Sequence, residues 1–458
     1  MSPDVTGLGC PTSGRLGPDP PEHGLTGESA ADDSPSMRIA VIGGGVAGLG
    51  SAWLLEDEHD VTLFEREPRL GGHVRTVDVP LGDRVAAVES GFEFFSRSLW
   101  PTFNRLLAAL GVELRGYPCR ISVYRTGERG CYVLQASHAD GRFAPGRLTP
   151  RRMLDLTQYG LLLASLRPLM QARDTRVTVA QALARVPLTR AFREEFLLPF
   201  LLAGWCVEPE DVLEFSAYNV LRYSYMNVTA RGAIDMQEVV GGLRAYVAAL
   251  AAQCRNATLR TGAALASVER SERGFVVREQ DGRAHAFDAV VVATNAQDAA
   301  RLLRDVRGAE AVRHQLERFE YFKTRIAVHG DPSLMPADPR DWSTVNVRHD
   351  GRHAQNTVWA ARRGLPVFRS WVTYDAREPS NVYDRVEYDH PRPTPRYFEA
   401  QRALRGLQGR DGLWLAGVHM HDIDSHESSL LSAVHVAEAL SPGAPRLRLL
   451  RGEPDRAR

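Results

Sequence analysis

The feature that most constrains this chain is the stretch Met37 to Thr76, MRIAVIGGGVAGLGSAWLLEDEHDVTLFEREPRLGGHVRT. Ile39 to Ile42 is a short apolar run of the kind that makes a buried parallel strand, and it leads directly into Gly43, Gly45 and Gly48 at G-x-G-x-x-G spacing. The first glycine permits a tight turn, the second lets a pyrophosphate approach the backbone, and the third lets the next helix pack closely on the strand. That helix, Ala47 to Glu56, would aim free N–H groups and the positive end of its dipole at a diphosphate. A second strand, Asp60 to Phe64, ends at Glu65, where a carboxylate can accept hydrogen bonds from a ribose 2′-hydroxyl and disfavours the 2′-phosphate of NADP. A lone G-x-G-x-x-G is weak evidence. Strand, turn, helix, strand and acid in this order predict a site for the ADP half of a dinucleotide.

Bulk properties narrow the rest. With 458 residues, 44% of them hydrophobic, the chain can bury a large core in two closely joined domains. Lysine plus arginine and aspartate plus glutamate both number 56, so no global field favours nucleic acid as a partner. Cys10, Cys119, Cys131, Cys206 and Cys254 are scattered with no C-x-x-C pair, which points to a reducing, cytoplasmic location. No uninterrupted apolar run is long enough to span a bilayer, so any membrane contact would be peripheral. Residues 1–36, rich in Pro, Gly, Ser and Asp, read as a disordered tail, and Met37 is an alternative start. The oligomeric state leaves no trace in the sequence.

Further along, Val85 to Phe95 reads as strand and turn, and Trp100 to Leu110 as a helix. Met153 to Phe200 is helical, with Leu154, Leu161, Leu162, Leu166 and Met170 as a core-facing stripe. The spacing predicts a helix over Leu243 to Gln253, strands over Leu259 to Val268 and Phe275 to Glu279, and a buried strand within Phe287 to Thr294. Tyr321 to His329, Trp342 to Val347 and Val367 to Tyr374 alternate as half-buried antiparallel strands do. Leu413 to Gly417 reads as a strand and Ser428 to Leu440 as a helix. The expected fold is α/β: a Rossmann-like nucleotide domain over 37–115, 235–305 and 408–445, interleaved with an α+β substrate domain and helical cap over 116–234 and 306–407.

Several local motifs join the glycine turn: R-x-G-G at Arg69 to Gly72, E-x-G at Glu89 to Gly91, the Gly241-Gly242 turn, A-T-N at Ala293 to Asn295, and L-W-x-A-G at Leu413 to Gly417. With these the chain resembles the flavin amine oxidase and carotenoid desaturase superfamily of FAD proteins from Met37 to Leu440. GGH after the acid, GFEFF, SLMP at Ser333 to Pro336, and YDHPRPTPRYFEAQRALRGLQGRDGLW from Tyr388 make it most similar to bacterial amine-oxidase-like proteins associated with fatty-acid modification. The resemblance implies an FAD-dependent oxidoreductase of desaturase or oxidase type acting on a hydrophobic small molecule or acyl substrate. Amine oxidation, double-bond isomerisation and a non-catalytic FAD-binding role are its alternatives. Carried over by position, it places Gly43, Gly45, Ala47 and Gly48 at the pyrophosphate and Glu65 and Arg66 at the ribose. Gly71, Gly72, His73, Gly91 and Ala293 fall near the diphosphate and flavin, and Leu265 at adenine. Gly417, Ser428, Ser429 and Leu430 fall at the ribityl chain and flavin. No cysteine stands where some relatives attach the flavin, so the FAD is expected to be non-covalent, with His73 the residual covalent candidate.

Where the resembling subgroup has a glycine-rich loop, this chain reads VHMHDIDSHESS from Val418 to Ser429. Beside a flavin, a buried His and carboxylate pair could move a proton. His421 or His426 is therefore the candidate acid/base, with Asp422 or Glu427 to orient it. Helix capping is the alternative role. A metal site is not expected, because there is no H-x-x-x-H helix and no cysteine ligand. Trp205, Tyr223, Tyr225 and Tyr321 are candidate cavity residues, and Lys323 falls on the strand that carries a flavin-side lysine in amine oxidases.

Overall fold

In the computed structural model, which describes residues 36–133, 149–229, 235–359, 365–422 and 425–453, the apolar run after Met37 forms β1 (Arg38–Ile42), buried from its second residue onward. A strand buried on both faces belongs in the middle of a parallel sheet. It is joined there by β2 (Asp60–Phe64), β3 (Thr258–Arg260), β4 (Ala289–Val292) and β5 (Leu413–Leu415), all parallel, in the order β3-β2-β1-β4-β5. The expected tail lies outside the described residues except for Ser36.

On one face of this sheet lie α1 (Val46–Leu55), α2 (Pro101–Ala109), α3 (Arg244–Gln253) and α4 (His426–Leu440), with Leu49, Leu54, Phe103, Tyr246, Leu250 and Leu430 in one core. Fully burying a leucine such as Leu49 or Leu430 contributes on the order of 2 kcal/mol. The fit of α1 against α4 is close: a Cβ on Gly50 would stand 2.9 Å from Leu430 Cδ1. The other face packs on an antiparallel sheet of Leu265–Ser271, Gly274–Glu279 and Ala284–Phe287 through Phe275, Val277 and Phe287.

A seven-stranded sheet forms a separate layer, in the spatial order Val382–Pro391, Tyr321–His329, Phe368–Trp371, Ala354–Trp359, Val345–His349, Ile121–Arg125 and Cys131–Val133. The helices between Pro150 and Thr229 pack on it around Leu162, Phe196, Leu202 and Phe215. The hairpin of Thr76–Leu81 and Arg84–Glu89 leans on the same sheet through Val79, Val88 and Val328. No helix among the described residues is long and apolar enough to cross a membrane.

The elements depart from expectation in several places. The expected strand Leu259–Val268 divides, Thr258–Arg260 joining the parallel sheet and Leu265–Ser271 the antiparallel one, whereas Phe287–Thr294 holds the buried strand Ala289–Val292 as expected. The long helical segment breaks into several pieces, with a π-helical turn at Arg193–Leu197. Within Pro150–Ala172, Leu162 and Leu166 are buried as expected, but Leu154 and Leu161 are 51% and 53% exposed. The stripe mixes two faces: Leu154 and Leu161, seven residues apart, share one side, and the buried line of Tyr159, Leu162, Leu166 and Leu169 lies about 100° around the helix, the turn between neighbours Leu161 and Leu162.

Candidate functional site

The glycine turn lies at the C-terminal end of β1, against β4. Gly43 has φ +110°, and a Cβ there would meet Ala293 O at 2.8 Å; one on Gly48 would overlap Gly43 O at 1.8 Å. Gly45 is different: its Cβ would meet nothing nearer than Gly72 Cα, at 4.0 Å. Its smallness therefore keeps open the space in front of α1, whose N-cap Gly45 has no side-chain cap while Val46 and Ala47 are buried. A buried, uncapped helix start needs an acceptor for its N–H groups, and an anionic phosphate supplies one.

A second turn closes on the first. The Gly71 N–H donates to Gly44 O at 2.8 Å, and Arg69 holds the turn by donating to Val74 O at 2.9 Å. Glu65, at the end of β2, accepts from the Gly44 N–H at 2.6 Å and the Glu67 N–H at 2.8 Å. These bonds pin its carboxylate beside the glycine loop and leave acceptor capacity for a ribose hydroxyl. Arg66 pairs with Asp298 at 3.3 Å, and Leu265 starts the strand beyond the loop.

Beyond Gly72 the site becomes aromatic. Gly91 presses on the His73 carbonyl, where a Cβ would lie 1.9 Å from the oxygen. The His73 ring meets Tyr388 edge-on at 4.9 Å and faces His390 at 6.4 Å. His390 stacks with Trp371 at 5.7 Å and with Phe322 at 5.8 Å. The row continues into the cap through Phe215, 6.2 Å from Phe322, to Trp205, 5.6 Å from Phe215. His73 is exposed and His390 half-buried, yet both lie deep in the protein, as side chains on an internal wall do. Burial, helped by His73, lowers His390 to about 3; burial also lowers His73, against the opposing pull of Asp389. Two clefts of about 430 and 560 Å³ flank the hairpin near Arg244, and neither includes His73, His390 or Gly45.

The C-terminal loop is the main correction to the sequence reading. His426 stacks on Phe92 at 4.2 Å and shares a 2.5 Å hydrogen bond with Tyr246; burial lowers it to about 3. Glu427 accepts from the Thr102 N–H at 2.9 Å and the Phe103 N–H at 2.8 Å, capping α2, whose own N-cap Trp100 offers no side-chain acceptor. Burial raises its pKa against those two bonds. Asp422 is paired with Arg222 and accepts from Tyr218 at 3.0 Å, while His421 meets His435 at 4.7 Å and is lowered to about 4, chiefly by burial. His426 and Glu427 are each turned to a partner on another element, whereas Asp422 stays beside His421 and opposes the lowering of its pKa. Asp424 lies outside the described residues.

Around α4 the remaining positions divide between backbone and side-chain roles. The Gly417 N–H donates to Ser432 Oγ at 2.7 Å, and Ser425 caps α4 by accepting from the Ser428 N–H at 3.1 Å. Ser429 donates back to Ser425 O at 3.2 Å, and Leu430 points into the core against Gly50. Lys323 is also turned away: its ammonium pairs with Glu387 at 2.6 Å, and its side chain is 67% exposed while neighbouring Thr324 is buried. Adjacent strand residues face opposite ways, so Lys323 is on the outer face and Phe322 on the aromatic one. Tyr321 accepts from the Ala296 N–H at 2.9 Å, Tyr223 stacks on Trp100 at 5.1 Å, and Tyr225 packs against the cap core. His390 and Trp371 were absent from the sequence candidates. The period-two pattern Val382, Val386, Tyr388, His390 could have revealed the first.

A flavin dinucleotide fits this arrangement: the uncapped helix start and the side-chain-free Gly45 before it suit a diphosphate, and Glu65 suits a ribose. Residues 46–323 match the family model for flavin containing amine oxidoreductases. The fold is similar to that of a fatty acid isomerase from P. acnes that produces CLA, with TM-score 0.63 and 16% identity over 89% of this chain and 98% of that one. It is similar as well to a putrescine oxidase solved with putrescine, with TM-score 0.64 and 15% identity over 89% and 99% of the two chains. A carotenoid phi-ring synthase of Streptomyces griseus is 36% identical over 89 residues, a segment that covers 17% of each protein.

Proposed function

The chain belongs to the flavin containing amine oxidoreductase family, and on that premise we propose that this FAD-dependent oxidoreductase withdraws hydrogen from a hydrophobic acyl or polyene substrate. The observation that carries the reading is the row of half-buried rings Trp205, Phe322 and His390, backed by the buried rings of Phe215 and Trp371. Such a wall binds a long unsaturated or aliphatic chain by area and shape. When bound, FAD supplies a two-electron acceptor for hydride. The residues of this chain would do the rest: α1 and Gly45 hold the diphosphate, Glu65 the ribose, and the aromatic wall orients the substrate and keeps water away. The FAD is held without a covalent bond in this reading.

The names of the fatty acid isomerase and the carotenoid phi-ring synthase lend support to a lipid or polyene substrate. Putrescine oxidase represents the competing class, in which an amine is oxidised. The deciding experiment is anaerobic absorbance of the holoprotein with panels of fatty acids, polyenes and amines. Bleaching of the oxidised-flavin band by a fatty acid or polyene is the expected result; bleaching by amines alone would replace this reading with amine oxidation.

A further inference from the structure

We infer that His390 takes the substrate proton and that His73 passes it out of the site. The inference rests on the hydrogen-withdrawal reading above, and replaces the histidines of the C-terminal loop with a pair held by quite different elements. His73 follows the Gly71-Gly72 turn that closes on the nucleotide loop, and His390 lies on the edge strand Val382–Pro391 of the seven-stranded sheet.

Three observations converge on the pair. The two rings face each other with centroids 6.4 Å apart and an interplanar angle of 29°, so a proton released at the edge of one ring has the edge of the other beside it. Among the described residues neither imidazole forms a hydrogen bond, whereas His426, His329 and His353 each do. A ring nitrogen enclosed by Trp371, Phe322 and Tyr388 and left without a protein partner is available to a ligand. Both rings line one internal wall, the more open His73 beside the half-buried His390. Burial favours the neutral form of both rings, the form able to accept a proton, and Asp389 and Arg69 are the charges that act on His73 from opposite directions.

The step balances as a two-electron desaturation. One substrate C–H bond breaks and its proton forms an N–H bond on a ring nitrogen of His390. The electron pair left behind becomes the new C=C bond as the neighbouring carbon loses hydride to bound FAD. The substrate is oxidised and the flavin reduced. His390 then hands its proton toward His73 and solvent.

The test compares wild-type holoprotein with His390→Gln, His73→Gln and His421→Gln, using any panel compound that bleaches the flavin. His390→Gln should slow bleaching by about 100-fold or more, in the range expected for a lost general base, with FAD content and substrate affinity retained. His73→Gln should slow it less, and His421→Gln should leave it unchanged. If glutamine in the aromatic wall prevents folding, His390→Phe keeps the ring and removes only the nitrogens. A second readout needs no substrate: imidazole NMR titration of the holoprotein, where removing His73 should raise the titration midpoint of His390. Bleaching within threefold of wild type in a folded His390 variant would overturn the inference while leaving the proposed function intact. If no fatty acid or polyene bleaches the wild type, the functional reading fails on its own, and an unmoved His390 midpoint in His73→Gln would then dismiss the pair as well.

Discussion

The glycine turn at 43–48 and the histidine-rich loop at 418–429 are both dense sequence signals, yet they differ in how far sequence alone explains them. In the turn, function follows from what each residue lacks. Gly43 and Gly48 have no side chain because backbone oxygens stand 2.8 and 1.8 Å from where a Cβ would be, and Gly45 has none because the space in front of it is needed. In the loop, function depends on partners far away in sequence: Glu427 reaches Thr102 and Phe103, His426 reaches Tyr246, and Asp422 reaches Arg222. A short motif can state a steric requirement. It cannot state which of several distant groups a carboxylate will meet.

The largest effect should come from Gly48→Val. Its Cβ would overlap a carbonyl oxygen at 1.8 Å, and neither β1 nor α1 can yield without losing the sheet core. Overpacking of this kind costs about 1–3 kcal/mol or more. We expect little soluble protein and no bound flavin, measured by yield and by absorbance of the purified fraction. A variant that retained FAD would mean that the two glycine turns do not enclose the diphosphate, and would break the steric half of the comparison.

Glu427→Ala should come next. It leaves the Thr102 and Phe103 N–H groups of α2 without their acceptor in a buried setting, which costs on the order of 3 kcal/mol. Thermal denaturation should show a lower Tm, while per-flavin bleaching by substrate remains near the wild-type rate. Bleaching lost at unchanged stability would restore Glu427 to the chemistry and reverse the correction made above.

These contrasts explain how much of the molecule was legible. β1, α1 and β2 were read to within a residue because their apolar runs, glycine spacing and acid are local. The strand Val382–Pro391 was missed although its inward side chains alternate, because Asp384 interrupts the apolar series; it is there to pair with Arg75 at 2.8 Å. Thr76–Leu81 was obscured by Pro80 and Asp78, the latter paired with Arg244 at 2.6 Å. Missing the first of these strands hid His390, and with it the wall that faces His73. The glycine turns and Glu65 were therefore legible in the sequence, whereas of the aromatic row only Trp205 was among the candidates, and His390 and Trp371 are brought to it by sheet pairing.

A pH experiment addresses the buried histidine directly. His426 titrates near 6.5 in the unfolded chain and at about 3 in the folded one, so between those values the unfolded state binds the extra proton. Its contribution is fully present above pH 6.5 and is lost as the pH falls toward 3. His426→Phe preserves a ring against Phe92 but cannot bind that proton. Denaturant titrations across this window should show stability falling less steeply with acid in the variant, alongside a modest loss at neutral pH from the broken bond to Tyr246. Equal slopes would show that the ring titrates alike in the folded and unfolded states and does not belong to the core.

The smallest effect is expected at Lys323, where residue type and placement disagree most. Its ammonium is paired with Glu387 on the outer face of the seven-stranded sheet, and that pairing raises its pKa. An exposed pair of this kind adds little to stability because solvent screens the attraction and both side chains lose freedom. Lys323→Ala should therefore leave Tm, FAD content and bleaching rate indistinguishable from wild type, whereas Phe322→Ala, one residue away on the opposite face, should weaken substrate binding by removing a ring 5.8 Å from His390. Measured side by side, the two substitutions ask whether the strand works through the face its alternation assigns. A lysine variant with slowed bleaching and an unaffected phenylalanine variant would invert that assignment and move the reacting surface to the other side of the sheet.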